Sequence, residues 1–567
     1  MYIDVVPNRN SPPAVLLRES FREGGKVRKR TVANLSSLSP QQVEDMRLVL
    51  KGTPLVAADQ LFDVVASRHH GHAAAVVQAM SRLGLDKVLG ARPSRERQLV
   101  LAMIAARILD PRSKLATASC LGNTTLPELL GLDEADENQM YAAMDWLLQR
   151  QERIESKLAK RHLGEDSLAL YDLSSSYFEG RTCPLAALGY SRDRKRGKLQ
   201  VNYGLLTDQR GCPIAISVFR GNVGDPSTLL PQVHILRERF GLQRFVLVGD
   251  RGMITQKQIG SLREQDLQWI TALRPHAIRK LINDRSVPMS LFDERNLAEI
   301  QHIDFPQERL VVCRNPELAK RRAAKRANLL DATTEELDKI QRMVGAGRLR
   351  GQDKIGLRIG RILDKYKVAK HFLLDIGADR FSFERDHNAI ATEAALDGIY
   401  VIRTNLPTER MQRDDVVRSY KLLSHVERSF RSIKTMDLHV RPIHHRTENR
   451  VRAHIFLCML AYYVRWHMLE AWRPMLYCDE ELEMKRTRDP VAPATRSAAA
   501  ERKAATKHTT DGTRVHSFRT LLQDLSTLVR NTCRRPSAED GDPCFNVDTR
   551  PSTTQQRALD LIAAIRP

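Results

Sequence analysis

The sequence predicts an α/β protein: a mixed five-stranded sheet with helices, interrupted by an α+β insertion and preceded by a helical N-terminal region. Three observations lead there. Between Ser167 and Leu273, short apolar runs alternate with helix-like stretches. Two of those runs close on an aspartate, Asp172 and Asp250. Further on, residues 414–434 contain no Pro or Gly and repeat Leu423, Val426, Phe430 and Ile433 at helical steps.

Composition narrows the partner. The chain has 567 residues, enough for two to four domains, with a net charge of +22 and a pI near 9.8. Such an excess of cations implies a polyanion, most simply nucleic acid, bound through its phosphates. The longest apolar stretch, Ile455 to Val464, is too short for a bilayer and reads as a core helix. Met1 to Pro7 has neither a charged n-region nor an apolar h-region, so no signal peptide is expected. The eight cysteines are scattered and never spaced as C-x-x-C, which fits a reducing compartment and gives no zinc finger or disulfide frame.

In chain order, Gly24-Gly25 between two strand-like runs predicts an N-terminal hairpin over residues 1–35. Its second strand carries Lys26, Arg28, Lys29 and Arg30, either a DNA-backbone contact or a basic exposed strand. Residues 36–163 read as helical, with helices from Ser39-Pro40, over Ala73–Leu83, over Arg95–Leu109 and over Met140–Leu158. This region is either a DNA-end reader or a simple bundle. The core then spans 164–274 and 406–475. Its strands are Leu168–Asp172, Lys198–Leu206, Pro213–Phe219, Phe245–Asp250 and Gln268–Leu273, with helices after Asp225-Pro226 and from Thr255. The order β-β-β-α-β-α-β is the ribonuclease-H-like order.

Residues 275–405 read as the insertion, with a basic helical hairpin near 316–370 that opens on Lys320-Arg-Arg-Ala-Ala-Lys-Arg. Gly345-Ala-Gly-Arg-Leu-Arg-Gly351 has the wrong spacing for a nucleotide loop, and no strand leads into it. His439, His444, His445 and Glu448 repeat no ligand spacing and read as a basic connecting loop rather than a metal cluster. Arg450–Trp472 is a long helix, 479–515 a disordered linker, and the rest a polar tail with short helices near 518–529 and 555–565.

Three acids carry the chemistry. Asp172 ends the first core strand, Asp250 the fourth, and Glu427 lies on the helix after the fifth. In the ribonuclease-H-like order the first and fourth strands are neighbours, so their ends meet. Three clustered carboxylates require cations. Two Mg²⁺ ions satisfy them and support in-line phosphoryl displacement. Tyr420 and Lys434 flank Glu427 at seven-residue spacing, nearly two helical turns, with His425, Arg428 and Arg431 around it. A surface helix laced with ion pairs is the alternative for this stretch taken alone.

On these motifs the chain resembles the DDE transposases of bacterial insertion sequences, in particular the insertion-sequence-four group with its Y-R-E-K signature. Tyr420, Glu427 and Lys434 stand at the signature spacing, with Leu423 where the signature has Arg, so that Arg's role is not carried over; Arg428 or Arg431 would substitute. Tyr171-Asp172-Leu-Ser-Ser-Ser-Tyr and Val248-Gly-Asp250-Arg-Gly-Met-Ile look like the family's two Asp blocks. The resemblance implies Mg²⁺-dependent strand cleavage and strand transfer at inverted-repeat ends of double-stranded DNA and into target DNA, with Mn²⁺ able to replace Mg²⁺. It implies Asp172, Asp250 and Glu427 as metal ligands and Tyr420 and Lys434 on DNA phosphates. The loop with Arg194, Lys195, Arg196 and Lys198 is either a backbone contact at the rim of the site or a solvated charge run. A homodimer on DNA and a place in the bacterial cytoplasm, at the nucleoid, follow from the same resemblance. Two rival readings share these features: another ribonuclease-H-like nuclease, and a non-catalytic, DNA-binding relic of a transposase.

Overall fold

The computed structural model describes residues 1–9, 11–53, 61–193, 195, 197–284, 292–481, 488–493, 495–535 and 543–566. The chain divides into two compact units, 1–68 with 529–550, and 69–528 with 551–567.

In the first unit, β1 (Tyr2–Val6), β2 (Ala14–Glu23) and β3 (Lys26–Asn34) form an antiparallel sheet in sequence order. Gly24 and Gly25 close the β2–β3 turn with φ of 57° and 77°, left-handed values that a two-residue hairpin demands at both positions. The expected hairpin is therefore two strands of a three-stranded sheet. Its basic strand is partly neutralised within the sheet, because Arg28 pairs with Glu23 at 3.1 Å and Arg30 with Glu19 at 2.8 Å. The Pro40–Leu50 helix follows, opened by a Ser39 capping box. Then comes β4 (Asp63–His69).

The second unit opens with helices Gly71–Arg82, Arg95–Leu109, Glu137–Leu148 and Gln151–His162. The expected single helix over 140–158 is two helices, broken at Gln149 and Arg150. An eight-stranded mixed sheet follows: β5 (Leu168–Tyr177), β6 (Gln200–Thr207), β7 (Pro213–Arg220), β8 (Val246–Val248), β9 (Gln268–Ala272), β10 (Leu297–Ile300), β11 (Arg309–Arg314) and, after the paired β12 (Phe372–Ile376) and β13 (Phe381–Arg385), β14 (Ile399–Thr404). The order is β10-β11-β14-β9-β8-β5-β6-β7. β8 is parallel to β5 and β9 to β8, while β6 and β7 are antiparallel to their neighbours.

The sheet corrects the expected five strands. Three strands of the expected insertion, β10, β11 and β14, extend it beyond β9. The reason is apolar burial: Leu310, Val312 and Val401 pack with Leu273, Ile278 and Leu281 in one small core. What stands apart is the hairpin of helices Pro316–Gly345 and Gln352–Tyr366 with β12 and β13, built on its own core of Leu337, Ile340, Ile355, Ile359, Phe372 and Phe381.

The Glu448–Ala471 helix is buried along most of its length and packs on Arg95–Leu109, Glu137–Leu148 and β7. The expected disordered linker is not one where it is described. Ala498–Thr506 is a helix whose buried Lys503 donates to the Arg473 and Leu476 carbonyls at 3.1 and 3.2 Å, and Ser497 donates to Asp479 at 2.6 Å. Lys503 can be buried there because Glu480 pairs with it and the carbonyls accept its protons; residues 482–487 and 494 lie outside the described residues. Helices Phe518–Ser526 and Thr553–Ala563 complete this unit, while β15 (Val529–Arg534) and β16 (Phe545–Asp548) join β4 in a sheet of the first unit. Among the described residues, no helix is long and apolar enough to cross a membrane.

Candidate active site

Asp172 does not end its strand. β5 runs on to Tyr177, but its parallel pairing with β8 ends at Leu170 opposite Val248. Two residues beyond that last pair lie Asp172, still on β5, and Asp250, in the turn that leaves β8, so the register brings them to the same end of the two strands. Asp172 Oδ1 accepts from the Leu173 amide at 2.8 Å. Asp250 sits in a tight turn after β8, where its Oδ1 accepts from the Gly252 and Met253 amides at 3.0 and 2.8 Å. A Cβ on Gly252 would stand 3.3 Å from that oxygen and crowd the carboxylate.

Glu427 reaches the site from a helix packed on β5 and β6. The expected single helix over 414–434 is bent: Arg413–Lys421 and Leu423–Arg431 meet at Leu422, and a wide π turn covers Ser432–Met436. Leu423, Val426 and Phe430 bury the inner face, while Glu427, Arg428 and Arg431 are exposed. Ser429 Oγ donates to the His425 carbonyl at 2.9 Å and lies 3.4 Å from the Gly211 carbonyl, so the helix packs against the turn before β7.

The electrostatics mark the acids as one group. Burial, then the charges of Asp250 and Glu427, push the Asp172 carboxyl from 3.8 up to about 7, against the opposing pull of the Leu173 amide and Arg192. Tyr420, half-buried, is pushed up to about 12, first by burial and then by Asp250, with Glu427 and Asp172 adding to it and Arg251 opposing. Its hydroxyl is therefore a standing donor beside the acids. Among the described residues no cationic side chain forms an ion pair with Asp172, Asp250 or Glu427. Nor do their oxygens converge within 4.8 Å of one another, so the trio is wider than the shell of one ion.

Lys434 has a protein partner of its own. It is buried, and its ammonium pairs with Asp193 at 2.9 Å. It lies in the π turn over Ser432–Met436, outside the regular helix that carries Glu427. Asp193, with a 2% exposed side chain, also holds Arg441 and accepts from the Tyr177 amide at 3.1 Å. Neither Asp193 nor Arg251 was singled out from sequence. Asp193 was hidden in a charge run that reads as solvated; Arg251 directly follows Asp250, a signal that was available. In the same loop Lys195 is exposed and Lys198 pairs with Glu179 at 3.3 Å, while Arg194 and Arg196 lie outside the described residues. Arg192 pairs with Asp225.

A pH effect follows from Asp172. Between the usual 3.8 and about 7 the folded chain keeps a proton that the unfolded chain has released, so stability falls as pH rises through that window. Buried Glu155, also pushed up to about 7, falls the same way. Asp172→Asn is therefore expected to lose part of the decline in urea midpoint across this window, while the part from Glu155 remains. Equal declines in parent and variant would contradict the shared site.

Comparison with known proteins gives the family. A family model described as "Transposase DDE domain" matches residues 178–464, just over half of the chain, and takes in Asp250, Tyr420, Glu427 and Lys434; Asp172 lies six residues before its start. Residues 3–59 match the "IS1634 family transposase, N-terminal domain". No curated protein matches. Among solved structures, the chain is similar to a piggyBac transposase synaptic complex with hairpin DNA, with 8% identity, 80% of this chain and 76% of that chain covered, and a TM-score of 0.33. It is also similar to a Mos1 transposase paired-end complex with left transposon end, with 10% identity, 31% and 59% covered, and a TM-score of 0.14. The family generally uses divalent metal ions. With its family model spanning more than half of the sequence, the chain belongs to the DDE transposases and is a DDE-type DNA transposase.

Proposed function

We propose that this transposase cuts the inverted-repeat ends of its own insertion sequence and joins them to target DNA, using a carboxylate trio loaded with two Mg²⁺ ions. The carrying observation is the group formed by Asp172, Asp250 and Glu427: adjacent strand positions, a helix packed across them, mutual electrostatic influence, and no paired cation among the described residues. The order β7-β6-β5-β8-β9, with β8 and β9 parallel to β5, supports a ribonuclease-H-like core over 164–274 and 406–475. The Tyr420, Glu427 and Lys434 spacing supports a place in the insertion-sequence-four group, in the branch lacking the signature Arg.

Bound to the trio, Mg²⁺ supplies charge stabilisation and an activated oxygen for in-line phosphoryl displacement. The chain's own groups do the rest. Asp172 gives up its proton as the site is loaded, because a raised carboxyl pKa falls when a cation neutralises its neighbours. The Tyr420 hydroxyl donates to a phosphate oxygen. Arg428 and Arg431, exposed beside Glu427, and Lys195 and Lys198 at the rim neutralise the DNA backbone. Lys434 acts through Asp193 and holds the rim loop against the end of the Glu427 helix. The first 163 residues read the DNA ends, and because two ends are joined, the working form is a homodimer.

The test is a duplex bearing the matched inverted ends that flank the reading frame, incubated with the full chain and Mg²⁺. Nicking at the end followed by joining to target DNA is expected. Cutting without joining would indicate another nuclease of this fold, and binding without Mg²⁺-dependent cutting a non-catalytic relic.

A further inference from the structure

Outside the acidic trio, three potential metal ligands from three distant segments meet: His162 at the end of the Gln151–His162 helix, Cys212 in the turn before β7, and His467 on the Glu448–Ala471 helix. Cys212 Sγ lies 3.9 Å from Nε2 of each histidine. Zn–N bonds of about 2.0 Å and a Zn–S bond of about 2.3 Å put tetrahedral sulfur and nitrogen ligands roughly 3.5 Å apart, so each Cys–His separation needs to contract by a few tenths of an ångström, and all three ligand atoms already lie within 4.8 Å of one another. Beside the three lies a cavity of about 370 Å³, lined by His162, His467, Glu470 and Ala564 among others, with room for a water as fourth ligand.

We propose that His162, Cys212 and His467 form a zinc site, separate from the acidic trio. Sulfur and imidazole select zinc over Mg²⁺, so the two sites do not compete for one ion. Burial holds His162 down to about 4 and His467 to about 3, so both rings are neutral at physiological pH and free to bind metal. Burial also holds the Cys212 thiol well above its usual value. Binding therefore breaks the S–H bond, forms a thiolate–zinc bond and releases one proton to solvent. Two contacts of His162 change with it. Nε2 leaves the Tyr463 hydroxyl at 3.0 Å for the metal, and Nδ1 then carries the ring proton, which opens the loose 3.5 Å contact with Arg210. Asp208, whose charge already acts on the His162 ring, balances the added cation.

The site has a structural consequence for the acids. The turn that ends in Cys212 seats the Glu427 helix: Gln209 O lies 3.3 Å from the His425 ring, and Gly211 O lies 3.4 Å from Ser429 Oγ. A Cβ on Gly211 would stand 2.8 Å from His425 Cβ, so the fit there is close. Zinc at Cys212 would fix this turn, and through it the helix that carries Glu427.

The full chain, freed of metal by chelation, would be titrated with Co²⁺ alone and then with Zn²⁺ alone. A Co²⁺ thiolate-to-metal absorption band, displaced by Zn²⁺, is expected; Co²⁺ on the carboxylate trio adds nothing to it, because an oxygen-ligand site cannot produce that band. No band in the parent chain overturns the proposal whatever the variants do. A band that survives Cys212→Ser overturns it too, and Cys478→Ser should leave it intact. Zn²⁺ should also slow amide exchange in residues 208–212 and 423–431 of the parent, and unchanged exchange would overturn the link to the Glu427 helix.

Discussion

Asp250→Asn is expected to lower Mg²⁺-dependent strand cleavage by on the order of a thousand-fold, about 4 kcal/mol of barrier, while end binding and the fold survive. The change is close to isosteric. The new amide keeps one oxygen, which can still accept from the Gly252 and Met253 amides at 3.0 and 2.8 Å, so the turn after β8 holds. The other oxygen becomes an NH₂ group, which offers a hard divalent ion no lone pair and turns donors toward it. A second readout separates a lost ligand from a lost fold. Asp250 is the largest charge acting on both Asp172 and Tyr420, so the Asp172 carboxyl should titrate lower in the variant. Normal cleavage by Asp250→Asn would remove this residue from the site. Lost cleavage with an unmoved Asp172 would separate the two carboxylates.

The part of this site that was legible in the sequence is the part carried by strands. Asp172 and Asp250 follow apolar runs that leave little choice of register, and parallel pairing from Leu168 opposite Val246 sets them side by side. Helix periodicity placed Glu427 correctly on the exposed face beside the buried stripe of Leu423, Val426 and Phe430. What periodicity does not report is where the helix is interrupted: nothing around Leu422 announces a break, and nothing in Ser432-Ile-Lys-Thr-Met436 announces a π turn. The sheet was underestimated for a related reason. β10 is four residues long, and the partner of β11, β14, lies beyond a long helical excursion, so no local pattern reports the pairing. Pairing across such a distance is settled by tertiary burial, which a local window does not contain.

Asp193→Asn is expected to destabilise the core by about 3 kcal/mol or more, the usual cost of leaving buried charges without their counter-ion. Asp193 has a 2% exposed side chain and Lys434 a 10% exposed one, so water cannot replace the lost charge without opening the site. Arg441 loses the same partner. The amide also presents a donor where one carboxylate oxygen accepted from the Tyr177 amide at 3.1 Å, which leaves that N–H unsatisfied or forces the side chain to flip away from Lys434. Urea denaturation, with amide exchange followed at residues 177, 193 and 434, reads the loss. Its pH dependence has a definite sign. Burial already lowers the Lys434 pKa and Asp193 opposes that shift, so without Asp193 it falls further. A lysine whose folded pKa lies below its unfolded one gains stability as pH rises between the two. The deficit of the variant should therefore shrink toward alkaline pH, as Lys434 is released from carrying a buried charge. A deficit under about 1 kcal/mol, well short of what an unpaired buried charge costs, would mean that Lys434 can leave Asp193 for solvent without penalty. In that case its ammonium would be free to meet DNA as the seven-residue spacing first suggested.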